Sequence, residues 1–128
     1  MAKIVGFSAL VEFCTGIALV LAPALVVTLL LRTPTDATTQ VVARGFGIAL
    51  LALAAALRPA HGSAAVAAPI FQAALIYNAL MALFLASVSI VQHMGGLLLW
   101  AAVALHALLA VLLITTWQRQ YRNRMIDS

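Results

Sequence analysis

The stretch GLLLWAAVALHALLAVLLITTW, residues 96–117, decides the fold. Its only ionisable side chain is His106, and it ends abruptly at Gln118-Arg119. An α-helix needs about 20 apolar residues to cross hydrocarbon about 30 Å thick, whereas an apolar run of 10–14 is more often a buried core helix. This segment therefore reads as a membrane span. Working outward, three more stretches have the same character: Ile4 to Leu31, Thr39 to Leu57 and Ala65 to Val91. Pro23 divides the first, which predicts a span over 4–22 followed by an interfacial helix or tilted extension over 24–31.

Composition agrees. The chain of 128 residues is 66% hydrophobic and 8% charged, with a mean hydropathy of +1.15. Soluble domains carry about 25% charged residues, so most of this surface must face lipid. The length suits one domain over 1–128 and leaves no room for a separate soluble enzyme. The single cysteine, Cys14, excludes an intrachain disulfide and multi-cysteine metal or redox motifs. The net charge of +4 is spread along the chain and is no nucleic-acid signal. Only Arg119, Arg122 and Arg124 cluster, just beyond the last span, where anionic lipid headgroups would hold them.

The links between spans carry turn and breaker residues: Arg32 to Thr39 with Pro34, Arg58 to Ser63 with Pro59 and Gly62, and Gln92 to Gly96 with Gly95. Links this short predict consecutive helices side by side and antiparallel. Ala22-Pro-Ala24 resembles a small-residue cleavage site only faintly. Its proline, the single basic Lys3 before the run and the interruption at Glu12 favour a retained span over a signal peptide. With both termini inside, Lys3, Arg58, Arg119, Arg122 and Arg124 fall in the cytoplasm and Arg32 alone outside, which is the arrangement that basic-residue bias selects. Trp117 and Tyr121 would then lie at the inner interface. The expectation is an all-α membrane protein: a four-transmembrane-helix antiparallel bundle with both termini cytoplasmic, in a cell membrane, with a bacterial inner membrane as the setting.

An ionisable group costs about 2.5–3.5 kcal/mol at mid-bilayer on insertion scales, and such groups normally face the bundle interior. Each span has one ionisable or strongly hydrogen-bonding group near mid-depth: Glu12, Arg44, Asn78 and His106. Ser8 and Thr15 share a face with Glu12. In an antiparallel pair Glu12 and Arg44 would differ in depth by about 6–9 Å, at 1.5 Å per residue, close enough for arginine to reach. A first span centred further along would enlarge that offset and turn Arg44 outward. Each residue also has a structural reading: a register-fixing ion pair for Glu12 and Arg44, interhelical glue for Asn78, a satisfied interior histidine for His106. Haem is disfavoured, because His61 and His93 sit in loops or at span ends, away from His106. Gly45 and Gly47, with the alanines from Ala49 to Ala56, make the second span thin and suited to close packing. No catalytic motif and no metal cluster is present in the sequence, which argues against an enzyme.

Leu21-Ala-Pro23, Arg44-Gly45 and the run Gly45-Phe-Gly-Ile-Ala-Leu-Leu51 give the first half of the chain a family likeness. It resembles the DoxX-like small bacterial four-helix membrane proteins. In that group an arginine-glycine pair opens the second span and a proline-containing segment closes the first. The resemblance implies a membrane subunit of the kind linked to quinone and sulfur redox chemistry. The chain is also similar in size and span number to the small multidrug resistance transporters, with Glu12 where their first-span glutamate falls. Arg44 is foreign to that pattern, and the third span lacks its aromatic and glycine residues. Two functions follow as expectations. One is an accessory protein, alone, in a homo-oligomer or in a larger membrane complex, holding the polar end of a quinone or lipid at Glu12, Arg44, Asn78 and His106. The alternative is a proton-coupled transporter, a homodimer with Glu12 as its exchange site.

Overall fold

A computed structural model describes residues 2–57 and 64–126; Arg58 and His61, used above for orientation and for the haem argument, lie outside them. The described chain forms five helices: α1 (Ala2–Leu21), α2 (Pro23–Leu31), α3 (Ala37–Ala56), α4 (Ala64–Val91) and α5 (Leu97–Ile126). Four of these, α1, α3, α4 and α5, are long and apolar enough to cross a membrane. Leu10, Ile48, Leu83 and Leu108, one from each, are all more than half exposed. Large apolar side chains pointing outward from every long helix require a lipid surround. This is a multi-pass membrane protein with a four-helix all-α bundle.

Local chemistry sets the helix ends. Pro23 has no N–H to donate to Leu19, so the first apolar run breaks there. Ala22 takes a non-helical conformation (φ −135°, ψ 58°) between the two pieces. Its N–H still closes α1 on Ala18 O at 2.8 Å, and its carbonyl opens α2 by accepting from Val26 N at 3.1 Å. Arg32 ends α2 in the left-handed conformation (φ 57°), its N–H donating to Thr28 O. Asp36 caps α3, with Oδ1 accepting from Thr39 N at 2.7 Å, so the second span starts two residues before the predicted Thr39. The fourth span belongs to α5, which runs past the predicted end at Trp117 to Ile126. The polar stretch from Gln118 to Met125 includes no proline or glycine, and glutamine and arginine are good helix formers.

The order of neighbours departs in one respect from the expectation that each span packs beside the next. α1 packs along α3, and α4 along α5, but α3 and α4 touch only sparsely. Instead α1 is central, with α3 on one flank and the α4–α5 pair on the other. The small residues explain it. A Cβ on Gly16 would stand 2.9 Å from Gly47 O, and one on Gly47 only 2.8 Å from Gly16 O. The two backbones are thus in direct contact, as small residues allow where lipid offers no hydrophobic drive to pack. Gly45 meets nothing within 4 Å.

Apolar contacts close both ends of the bundle. Val5, Leu57, Phe71 and Leu113 gather all four spans at the end nearest the termini, where Phe71 stacks on Trp117 at 5.1 Å. At the other end Leu85, Val88 and Leu99 pack against Leu30 and Leu31 of α2. There Gly95 N donates to Leu31 O at 2.9 Å, tying the α4–α5 turn to the end of α2. The extension beyond Pro23 is therefore docked on the bundle. Between these ends lies a polar layer.

Candidate functional site

Among the described residues four buried polar or charged side chains lie in the interior: Ser8 and Asn78 at 0% exposure, Glu12 at 1% and His106 at 8%. Ser8 and Glu12 are one turn apart on α1, so both face α4. Asn78 of α4 stands where α1, α4 and α5 meet. Its Nδ2 donates to Ser8 Oγ at 2.9 Å and to the Ala74 carbonyl at 2.8 Å, and its Oδ1 lies 2.9 Å from His106 Nδ1. A carbonyl only accepts, so the amide atom facing Ala74 must be the nitrogen. Oδ1 therefore faces the histidine, and His106 Nδ1 must carry a hydrogen to donate to it. In the neutral ring this leaves the lone pair on Nε2.

Tyr77, the residue before Asn78, points a different way round α4. Its hydroxyl donates to Glu12 Oε2 at 2.8 Å, and its half-buried ring meets the edge of the His106 ring at 5.8 Å. Ser8, Glu12, Tyr77, Asn78 and His106 form one polar layer, crossed by two hydrogen-bonded branches, between the apolar ends of the bundle. One fully buried side-chain atom in it has no partner: Glu12 Oε1, which makes no hydrogen bond. An ionised Glu12 would lack a donor at Oε1, and one protonated on Oε1 would present an O–H with nothing to accept it. Orphaned polar atoms in a low-dielectric interior are expensive.

Arg44 stands apart from this layer. It is exposed on α3, and its Nε donates to Val20 O at 3.3 Å. The Gly16–Gly47 contact fixes the offset. Glu12 lies about 6 Å to one side of that level and Arg44 about 4.5 Å to the other, at 1.5 Å per residue. The separation of about 10 Å exceeds the predicted 6–9 Å, so the two do not pair. Arg44 has a different task. The break at Pro23 strands the last carbonyls of α1, and a cation at a helix C-terminus meets both the free acceptor and the negative end of the helix dipole.

Sequence reasoning thus identified three of the buried groups and grouped a fourth residue with them that the structure separates. It missed Tyr77 as the partner of Glu12. The available signal was a phenol beside Asn78, since a buried tyrosine hydroxyl almost always finds an acceptor. His93 sits in the α4–α5 turn with φ 53°. Among the described residues no three His, Cys, Asp or Glu side chains gather in a way that could hold a metal ion. Compared with known proteins, the chain matches no family model, no curated protein and no solved structure.

Proposed function

We propose that this protein binds the polar end of an amphipathic ligand, a quinone or a lipid, at Glu12 inside a bacterial inner membrane, alone or as the accessory subunit of a larger membrane complex. The observation that carries the reading is Glu12 Oε1, a buried carboxyl oxygen with no partner in an otherwise hydrogen-bonded layer. A hydroxyl or carbonyl of a ligand would supply the missing bond, the first to an ionised Glu12 and the second to a protonated one. Tyr77 fixes the other carboxyl oxygen, and Asn78 with His106 holds α4 and α5 around the site. Within this proposal the DoxX-like reading rests on the residue pattern around Arg44-Gly45. Both termini would be cytoplasmic, with Arg119, Arg122 and Arg124 against anionic headgroups.

Native mass spectrometry of gently extracted protein tests the reading. The expected result is a co-purifying quinone or lipid that Glu12→Leu loses and Arg44→Gln keeps. Equal retention of the same ligand by Glu12→Leu would remove the proposed site.

A second reading, proton-coupled transport by a homodimer, gains support from the separation of Glu12 and Arg44. A carboxyl without a cation beside it can load and release a proton, whereas a paired one stays ionised. In this case Glu12→Gln abolishes proton-coupled substrate movement in reconstituted vesicles, and unchanged proton uptake by that variant sinks the reading.

A further inference from the structure

At the end of the bundle opposite the chain termini, α2 and the start of α5 leave a groove of about 650 Å³. It has two kinds of wall. Leu29, Leu97 and Leu98 form the apolar one, and Thr28, Thr33 and Arg32 the polar one. Leu97 is 87% exposed, and the lipid-exposed α5 span begins at this residue. The groove therefore lies where hydrocarbon gives way to headgroups. We infer that it seats an anionic phospholipid, with the phosphate on Arg32 and the acyl chains along Leu29, Leu97 and Leu98.

Three observations hold Arg32 in place for this. Its backbone is locked as the left-handed cap of α2. Gly95 N on Leu31 O pins that cap to the α4–α5 turn. Its side chain lies over Gly96, where a Cβ would stand 2.7 Å from Arg32 Cδ and 3.3 Å from Nη1. Gly96 is thus the floor on which the arginine rests. The carboxylate nearest in sequence, Asp36, caps α3 through Thr39 N, and Glu12 is buried in the polar layer away from this end. A guanidinium offers five N–H donors in a fork that fits phosphate, and Arg32 donates none of them to a described residue. The Thr28 and Thr33 hydroxyls are available for the glycerol and ester oxygens.

This site is separate from Glu12, so the two proposals stand or fall independently. The test uses full-length protein in detergent micelles, titrated with phosphatidylglycerol, phosphatidylcholine or inorganic phosphate and read by native mass spectrometry and thermal shift. Phosphatidylglycerol should bind and stabilise the wild type. Arg32→Gln should weaken that binding about fivefold, the effect expected for one basic residue at a charged surface. Gly96→Ala should weaken it as well by displacing the flexible arm of Arg32, while the thermal midpoint without lipid stays close to that of the wild type. Arg44→Gln, whose guanidinium is engaged with Val20 O instead, should leave it unchanged. Equal binding by Arg32→Gln overturns the inference. So does equal binding of phosphatidylcholine, or competition by inorganic phosphate at the same concentration as the lipid, which would identify a free-anion site instead.

Discussion

Asn78 shows how much one side chain can decide. It donates twice and accepts once, linking α1, its own helix and α5. A typical interhelical hydrogen bond in a membrane contributes only about 0.6 kcal/mol. Removing Asn78 does more than delete bonds, because it strands Ser8 and the Nδ1–H of His106 in the interior, and stranded polar groups cost about 1–3 kcal/mol. Asn78→Leu should therefore destabilise the bundle by about 1–3 kcal/mol in micellar unfolding. A double-mutant cycle of Asn78→Ala with His106→Ala should return a coupling above ~0.5 kcal/mol, and a value near zero would mean that the bond is not formed. Asp36 makes a different point, at the water's edge. Its carboxyl is held below its usual 3.8, first by the hydrogen bond from Thr39. A depressed folded-state value means that the ionised cap stabilises α3 above about pH 3.8 and that this contribution is lost as pH falls further, through the folded-state value. Lowering the pH from 5 to 3 should therefore reduce the melting temperature of the wild type more than that of Asp36→Asn, whose amide oxygen caps without titrating. Identical pH dependence in the two would remove the cap from the account.

For the elements, backbone proximity rather than side-chain burial sets the α1–α3 pair. Gly16 and Gly47 face each other so closely that a methyl on either would press on the other's carbonyl. A backbone atom cannot step aside, so the helices must part. Gly47→Ala should cost about 1–3 kcal/mol, the range for overpacking a tight interface. Gly45→Ala, two residues away with open space around it, should be neutral or slightly stabilising, since alanine is the better helix former. Comparable losses from both variants, measured by thermal unfolding in one detergent, would contradict the packing described. These elements also mark the boundary of what the sequence reveals. The four spans, the break at Pro23 and the depth of Asn78 and His106 are legible because hydropathy and proline geometry are local. The role of Arg44 is not. Its distance from Glu12 depends on the register of α1 against α3, and the glycine contact that sets the register joins residues 16 and 47. The sparse contact between α3 and α4 escapes for the same reason: short links make neighbours in sequence, but side chains choose neighbours in space.

At the scale of the whole molecule, the distribution of charge over the two ends of the bundle gives a prediction that separates fold from orientation. Lys3 and Gln118 are exposed near one end, and Pro34 is exposed near the other. The bundle alone requires that the first two share a side of the membrane and that Pro34 lie opposite. Which side is which follows from charge: Lys3, Arg119 and Arg122 lie at the first end, joined in sequence by Arg58 and Arg124, against Arg32 at the second. Basic residues close to span ends are retained in the cytoplasm. Cys14 is lipid-facing and free, so a Cys14→Ser background leaves the chain without a native thiol. On it, single cysteines at positions 3, 34 and 118 can be probed with a membrane-impermeant maleimide in intact cells and in inverted vesicles. Position 34 should react only in cells, and positions 3 and 118 only in inverted vesicles. If 34 and 118 react from one side, the antiparallel bundle is wrong. If all three swap sides together, the bundle stands and the charge rule is overridden, and the Arg32 groove would then face the cytoplasmic leaflet.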